Sequence, residues 1–402
     1  MDFTEPILAP LPYHTALRDY LKAEEPDLWR WFASAQAQAK YMEELRLELL
    51  KSTYRLHPDS HPGLYEAVSE AKQRLGLEVP VTAYQAQSQS NQPLNAALFY
   101  VPGEGHLVFS GPALSLLDPN ELKSVVGHEL SHYHLWQCEQ GEFHIADRLL
   151  QAVGQDARAV PSQVQSARWF QLYTEIFADR GSFQVAGDLH PVVASLVKME
   201  TGLAQVSPAS YLAQAEEIFA ATQVKTSGLS HPETFIRARA LALWSQNGSA
   251  CNDAITAMME GAAELDELDL LGQQRWTEVT RRVLEQLLRP KWFQTPATMG
   301  HARSFFDDFQ PAASAANVVL PGPAKLEPKL RQYLAYVLLD FVAADPDLED
   351  LPLAAALQLA GALGVLDLLE KLVLKELKWK AREVKRVKEQ AAEVLGRAEP
   401  AP

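Results

Sequence analysis

The sequence predicts an α+β protein that is mainly helical, and three observations carry that expectation. Apolar residues recur at helical spacing over most of the chain, as in Leu122, Val125, Val126, Leu130 and Tyr133, or in Leu330, Leu334, Val337, Leu338 and Phe341. The period changes only between about residues 79 and 110, where short runs rich in β-branched and aromatic residues alternate with Pro/Gly turns. Hydrophobic residues make up 47% and charged residues 22% of 402 positions, the balance of a globular chain long enough for more than one core.

Four segments are expected along the chain. Residues 1–62 read as an N-terminal helical cap, with Asp27 to Phe32 and the run from Tyr41 to Leu56 at helical period. Residues 63–249 form a mixed domain. It opens with a helix over Leu64 to Leu75, closed by Gly76. Strands then fit Val79 to Tyr84, Leu94 to Val101 and His106 to Ser110, the last two joined through Pro102-Gly103-Glu104-Gly105 as a hairpin. From about 113 to 247 everything reads as helices. Residues 250–325 continue as helix and then as Pro/Gly-punctuated linker at 289–300 and 310–328. Residues 326–402 form a C-terminal helical domain, ending in a long helix that is basic from Lys371 to Lys388.

Composition excludes several functions. The formal net charge of −15 argues against nucleic-acid binding, which favours basic surfaces. Cys138 and Cys251 are too few for a disulfide framework and form no CxxC pair, so the expected setting is a reducing, cytoplasmic one. Residues 1–6 are acidic and lack the basic and apolar parts of a secretory leader. Leu351 to Leu366 comes nearest to a membrane span, but it is shorter than the roughly 20 apolar residues required and contains Pro352 and Gln358. It is expected as a buried helix, and no transmembrane segment is expected. The acidic turn of Asp345, Asp347, Glu349 and Asp350 lacks the spacing of a calcium loop and is expected to be solvated. The basic end of the chain is expected to be an amphipathic helix packed on its neighbours, with docking onto the acidic body of the protein, a partner or an anionic membrane surface as the sharper alternatives.

The chemistry concentrates at His128-Glu129-Leu130-Ser131-His132, an H-E-x-x-H sequence. Asp118 as N-cap, Pro119 at the first helical position and Glu121 in the first turn set this pentapeptide in mid-helix. The two histidines then lie about 6 Å apart along the axis on nearly the same face, where both can bind one Zn²⁺. Glu129 between them can act as general base on an activated water. Gly127 costs roughly 1 kcal/mol in a helix interior, which implies a close neighbour at that turn. A third ligand is required, and Glu175 is the best candidate. It lies in a helical pattern from about 163 to 186, with Asp179 four residues on as the carboxylate that would orient a ligating histidine. Taken alone, the pair reads more readily as an exposed acidic face of an ordinary helix. In Ser230-His231-Pro232-Glu233-Thr234-Phe235-Ile236-Arg237, His231 and Arg237 are either oxyanion donors or carboxylate partners. The same residues also suit a Ser/His cap with Pro232 opening a helix and Arg237 in solvent.

In this order, His128 to His132, Glu175 to Asp179 and Ser230 to Arg237 resemble the gluzincin peptidases of the HtpX and CAAX prenyl endopeptidase type. That family pairs H-E-x-x-H with E-x-x-A-D and then S-H-P-x-x-x-x-R. Pro93 to Ala97 also looks like the family's asparagine–alanine strand, and the likeness runs from about residue 64 to 245. The resemblance implies a zincin-like domain over 63–249 and one zinc ion per chain, held by His128, His132 and Glu175. It implies Glu129 as catalytic base, Asp179 behind a ligand, and His231 and Arg237 closing the site. The implied activity is endoproteolysis of a peptide or protein substrate, docked along Asn95, Ala96 and Ala97 as an added strand. Many relatives carry transmembrane helices around this core, and none is expected here. The alternative is a catalytically silent zincin scaffold that binds proteins.

Overall fold

The computed structural model describes residues 8–87, 94–262, 264–312, 320–322 and 326–398. The chain divides into two compact units, Met1–Gly261 with Asp269–Leu271, and Ala262–Leu268 with Gly272–Pro402. Both contribute to a fold that is mainly helical with one small mixed sheet, the α+β class expected.

The first unit begins with α1 (Pro12–Glu24), α2 (Pro26–Ala33) and α3 (Ala35–Ser52). The helical run expected to reach Leu56 stops at Ser52, because Thr53–Arg55 forms a strand, β1. It pairs antiparallel with residues 84–86, and helical periodicity cannot register a partner strand thirty residues away. After α4 (Pro62–Leu75), Gly76 turns left-handed at φ 66° and ends the helix. Then come β2 (Val81–Ala86), β3 (Asn95–Val101) and β4 (Glu104–Ser110), in the order β1-β2-β4-β3. β3 and β4 are the expected hairpin, turning at Gly103 with φ 86°, whereas β2 runs parallel to β4. β3 is therefore an edge strand.

Helices fill the rest of this unit: α5 (Ala113–Leu116), α6 (Pro119–Gln137), α7 (Glu142–Gly154), α8 (Pro161–Ala186), α9 (Leu189–Thr201), α10 (Pro208–Ala221), α11 (Thr234–Asn247) and α12 (Asn252–Glu260). The helical reading from 113 to 247 is interrupted at 155–160, 202–207 and 222–233, and the last of these irregular stretches carries Ser230 and His231. α6 starts as its sequence requires. Asp118 Oδ1 accepts from the Asn120 and Glu121 amides at 2.8 and 3.0 Å, while Glu121 Oε2 accepts from the Asp118 amide at 2.8 Å. Leu107, Phe109, Val126, Leu130, Tyr133 and Phe177 form the centre of one core joining sheet, α6 and α8.

α6 and α8 cross at unusually short range, and two glycines allow it. A Cβ on Gly127 would stand 2.7 Å from Val185 Cβ, and one on Gly181 would stand 1.8 Å from Ser131 Oγ. The close neighbour implied by Gly127 is thus Val185 on α8. The same approach presses the H-E-x-x-H face of α6 against the Glu175/Asp179 face of α8.

The second unit contains α13 (Leu270–Leu287) from Gly272 onward, α14 (Pro296–Phe305), α15 (Pro328–Ala343), α16 (Leu351–Leu363), α17 (Leu366–Glu376) and α18 (Ala381–Ala398). The α15 stripe of Leu330, Leu334, Val337, Leu338 and Phe341 is buried against α16 and α17. Leu351 to Leu366 is broken by Gly364 at φ 68°, so it belongs to two helices. No helix among the described residues is long and apolar enough to cross a membrane. The basic end is likewise two helices, separated around Lys378 at φ 58°. The acidic turn is partly used in structure: Asp345 Oδ2 accepts from Thr295 Oγ1 at 2.6 Å, and Asp350 pairs with Arg386 at 2.7 Å. Parts of the linker at 310–328, the acidic residues 1–6 and Pro93 lie outside the described residues.

Candidate metal centre

His128 and His132 project from α6 toward Glu175 on α8. His128 Nε2 stands 3.3 Å from His132 Nε2 and 3.3 Å from Glu175 Oε2, and His132 Nε2 is 3.6 Å from Glu175 Oε1. Among the described residues, His128, His132 and Glu175 are the group whose donor atoms could hold a metal, all within 4.8 Å of one another. The spacing itself tests the fit. Two imidazole nitrogens bound to one zinc ion at about 2.0–2.1 Å with a tetrahedral angle stand about 3.3 Å apart. The carboxylate oxygen Glu175 Oε2 is fully enclosed without a well-aligned hydrogen bond, as an atom reserved for a cation would be. Two imidazoles and a carboxylate are also a donor set that suits zinc.

Asp179 lies directly behind this group. Its Oδ1 is 3.1 Å from His128 Nδ1, the contact that fixes a tautomer with Nε2 turned toward an ion. Asp179 is itself gripped by Arg237, with Nε at 2.8 Å from Oδ2 and Nη2 at 2.6 Å from Oδ1, and the same Nη2 lies 3.4 Å from Glu175 Oε2. Arg237 and both carboxylates are buried. The readings of an exposed acidic face and a solvated arginine are therefore both overturned. So is the helix cap: α11 begins at Thr234 with Glu233 as its N-cap residue, and Pro232 stays outside it. Glu233 instead ties down the loop, accepting from Thr226 Oγ1 at 2.6 Å and from the Ser227 amide and hydroxyl at 2.9 and 2.7 Å. Arg168 holds the same loop from α8 through the Gly228 and Thr226 carbonyls at 2.7 and 2.8 Å. This brings His231, 58% exposed, to 3.6 Å from Glu175 Oε1 at the mouth of the site.

The side chains of the cluster balance one another's charge. Burial disfavours a charged His128, but the bonds to Asp179 and Glu175 and their negative fields outweigh it and lift its pKa to about 10. Burial, with the positive charges of its neighbours, brings His132 down to about 4 despite Glu175. Burial would raise Glu175 and Asp179, yet the cations around each hold it below the ordinary carboxylate range. Glu129 makes no ion pair among the described residues. Burial and the nearby Glu175 push it up to about 7, against the pull of His128 and a hydrogen bond from the Leu98 backbone.

A cavity of about 360 Å³ opens over these groups, bounded by Asn95, Ala96 and Ala97 of the edge strand, by Glu129 and His132, and by Ser230 and His231. The structure thus brings together all ten residues singled out in the sequence: His128, Glu129, His132, Glu175, Asp179, His231, Arg237 and the Asn95–Ala97 strand. Other wall residues went unnoticed. Trp136 stacks on the His132 ring with centroids 5.6 Å apart, and its i+4 spacing from His132 could have revealed it. Asp147 and Gln151 of α7 carry no motif.

Comparison with known proteins gives one distant likeness. Plastoglobule-localized metallopeptidase 48, chloroplastic, of Arabidopsis thaliana is 29% identical over 203 residues, which is 46% of this chain and 57% of that relative. The chain therefore spans little more than half the length of the relative it matches. No family model and no solved structure matches. The likeness supports a relationship to metallopeptidases in general and nothing narrower.

Proposed function

We propose that the chain is a zinc-dependent endopeptidase of the HtpX and CAAX prenyl endopeptidase type, with a helical C-terminal accessory domain over 326–402. The observation that carries this reading is the convergence of His128 Nε2, His132 Nε2 and the Glu175 carboxylate at ion-sharing distances. Zinc, when bound, supplies the Lewis acidity that makes water a nucleophile near neutral pH and polarises a carbonyl. Everything else is work for the chain's own side chains. Glu129, buried beside the three donors, takes a proton from the attacking water and passes it to the departing amine. His231, exposed at the mouth, donates to the oxygen on which negative charge develops. Arg237 does not reach substrate in this scheme, since Asp179 and Glu175 engage its guanidinium. It orients Asp179, and Asp179 orients His128. The extended substrate adds to β3 beside Asn95, Ala96 and Ala97, whose outer edge has no strand partner among the described residues.

Two unpaired cysteines, Cys138 and Cys251, support a reducing compartment such as the cytoplasm. The test is elemental analysis of the purified chain together with casein and peptide-library digestion, with and without chelator. One zinc per chain and chelator-sensitive cleavage are expected. Glu129→Gln should retain the metal and lose at least about a hundredfold in rate. Wild-type turnover by that variant would remove Glu129 from the chemistry.

A further inference from the structure

The cleft holds a third buried carboxylate besides Glu129 and Glu175, and this scheme leaves it idle. Asp147, on α7, is 8% exposed and borders the cavity over the metal centre. It also borders an adjoining cavity of about 380 Å³ that runs toward Phe32, Phe99 and Tyr100. Leu98, Trp136, Asp147 and Gln151 line both, so the two cavities share a wall, and Asp147 stands at their junction.

Its electrostatic setting differs from that of its neighbours. Glu121 pairs with Lys198 at 2.7 Å, Asp179 with Arg237 at 2.6 Å, and Glu175 faces His128 and Arg237 at 3.3 and 3.4 Å. Asp147 has no ion-pair partner among the described residues and accepts one hydrogen bond from Gln151 Nε2 at 2.9 Å. Arg148, whose guanidinium lies over the Phe32 ring at 5.5 Å, adds only a field from a distance. Burial accordingly pushes Asp147 up to about 7. A carboxylate withdrawn from water without a counterion is costly, and such a group persists where a ligand brings the missing charge.

We propose that Asp147 receives a cationic nitrogen of the polypeptide, either a lysine or arginine side chain or a free N-terminal ammonium, and so determines substrate specificity at the metal centre. This rests on the peptidase reading for what occupies the cleft. The walls suit that occupant: Leu98 and Trp136 offer apolar surface to a methylene stem, and Gln151 holds the carboxylate by one oxygen while the other stays available. Asp147 and Gln151 are four residues apart on one helix face, so an approaching cation meets both.

The experiment measures binding rather than turnover. Zinc-loaded full-length Glu129→Gln protein is titrated with short alanine-rich peptides bearing lysine, arginine or uncharged norleucine at each position in turn, each with a free and an acetylated N-terminus. One cationic placement should bind about tenfold tighter than its neutral counterpart. Loss of the gain on acetylation assigns it to the N-terminal ammonium, and persistence assigns it to the side chain. Adding Asp147→Asn should bring the ratio close to one, and Asp147→Glu, which keeps the charge, should retain part of it. The proposal is overturned if no position prefers a cation, if the preference survives in folded Asp147→Asn, or if no peptide binds. Should the substituted chains not fold, the presence or absence of the preference with Asp147 intact still decides. A cation preference without chelator-sensitive cleavage by the wild-type chain would sink the peptidase reading alone, and cleavage without a preference would sink this one alone.

Discussion

Replacing Arg237 by Met should loosen the site from behind. Arg237 is 9% exposed, and its guanidinium makes two hydrogen bonds of 2.6 and 2.8 Å to Asp179, itself 1% exposed, with Glu175 3.4 Å away. Met fills much of the volume but leaves two enclosed carboxylates with His128 as their remaining close cation. Breaking a buried pair by removing one partner costs about 3–5 kcal/mol, far more than the pair contributes relative to a neutral replacement. Arg237→Met/Asp179→Asn removes both charges, so it should be destabilised by at least about 2 kcal/mol less than the sum of the single substitutions. Native-state hydrogen exchange of α6 and α8 amides in the zinc-free chain reads this where it occurs. Zinc affinity should fall by about 10- to 100-fold in Arg237→Met, because Asp179 then no longer holds the His128 ring. If α6 and α8 exchange within about 1 kcal/mol of wild type, or if the double substitution is simply additive, the pair is not the support described here.

Zinc at 100 times its dissociation constant should stabilise the chain by about 2.7 kcal/mol, and His132→Ala should abolish that shift; a denaturation midpoint indifferent to zinc would contradict a shared site. Gly181→Ala should both destabilise the chain and weaken zinc binding, since its methyl would meet Ser131 Oγ at 1.8 Å and force α8 from the H-E-x-x-H turn. A well-folded Gly181→Ala with unchanged zinc affinity would show that this crossing does not set the geometry. Asp147 makes stability depend on pH with a definite sign. Its folded value of about 7 lies above an unfolded value near 3.9, so the native chain binds the extra proton. Stability should therefore be highest below about pH 4 as far as this group is concerned, and fall by up to about 4 kcal/mol as pH rises through 7. Asp147→Asn should flatten that segment of the pH profile in urea denaturation, and an unchanged slope would refute the assignment.

Much of the site could be read without coordinates because its parts are local. H-E-x-x-H needs only a helix, which Asp118, Pro119 and Glu121 start and which helical spacing sustains, and Glu175 with Asp179 needs only another. The strands beyond Val79 and the hairpin at Gly103 were equally local, resting on period and turn chemistry. β1 was not, because a three-residue strand exists only through its pairing with β2. The breaks at Gly364 and Lys378 were hidden too, since apolar and basic spacing continue across them.

Residue type and spacing therefore placed His128 and His132 on one helix face, and the resemblance to the gluzincin peptidases pointed to Glu175 on a second helix as their companion. Tertiary structure decided what no spacing encodes: that Gly127 and Gly181 let two helices approach until Nε2 atoms and a carboxylate can share one ion. It also decided that Arg237 is buried against Asp179 rather than solvated, and that Asp147 from a third helix faces the same cleft. Such contacts join residues dozens of positions apart. Their energy comes from burial and from the scarcity of counterions inside the fold, and neither exists until the chain has closed around them.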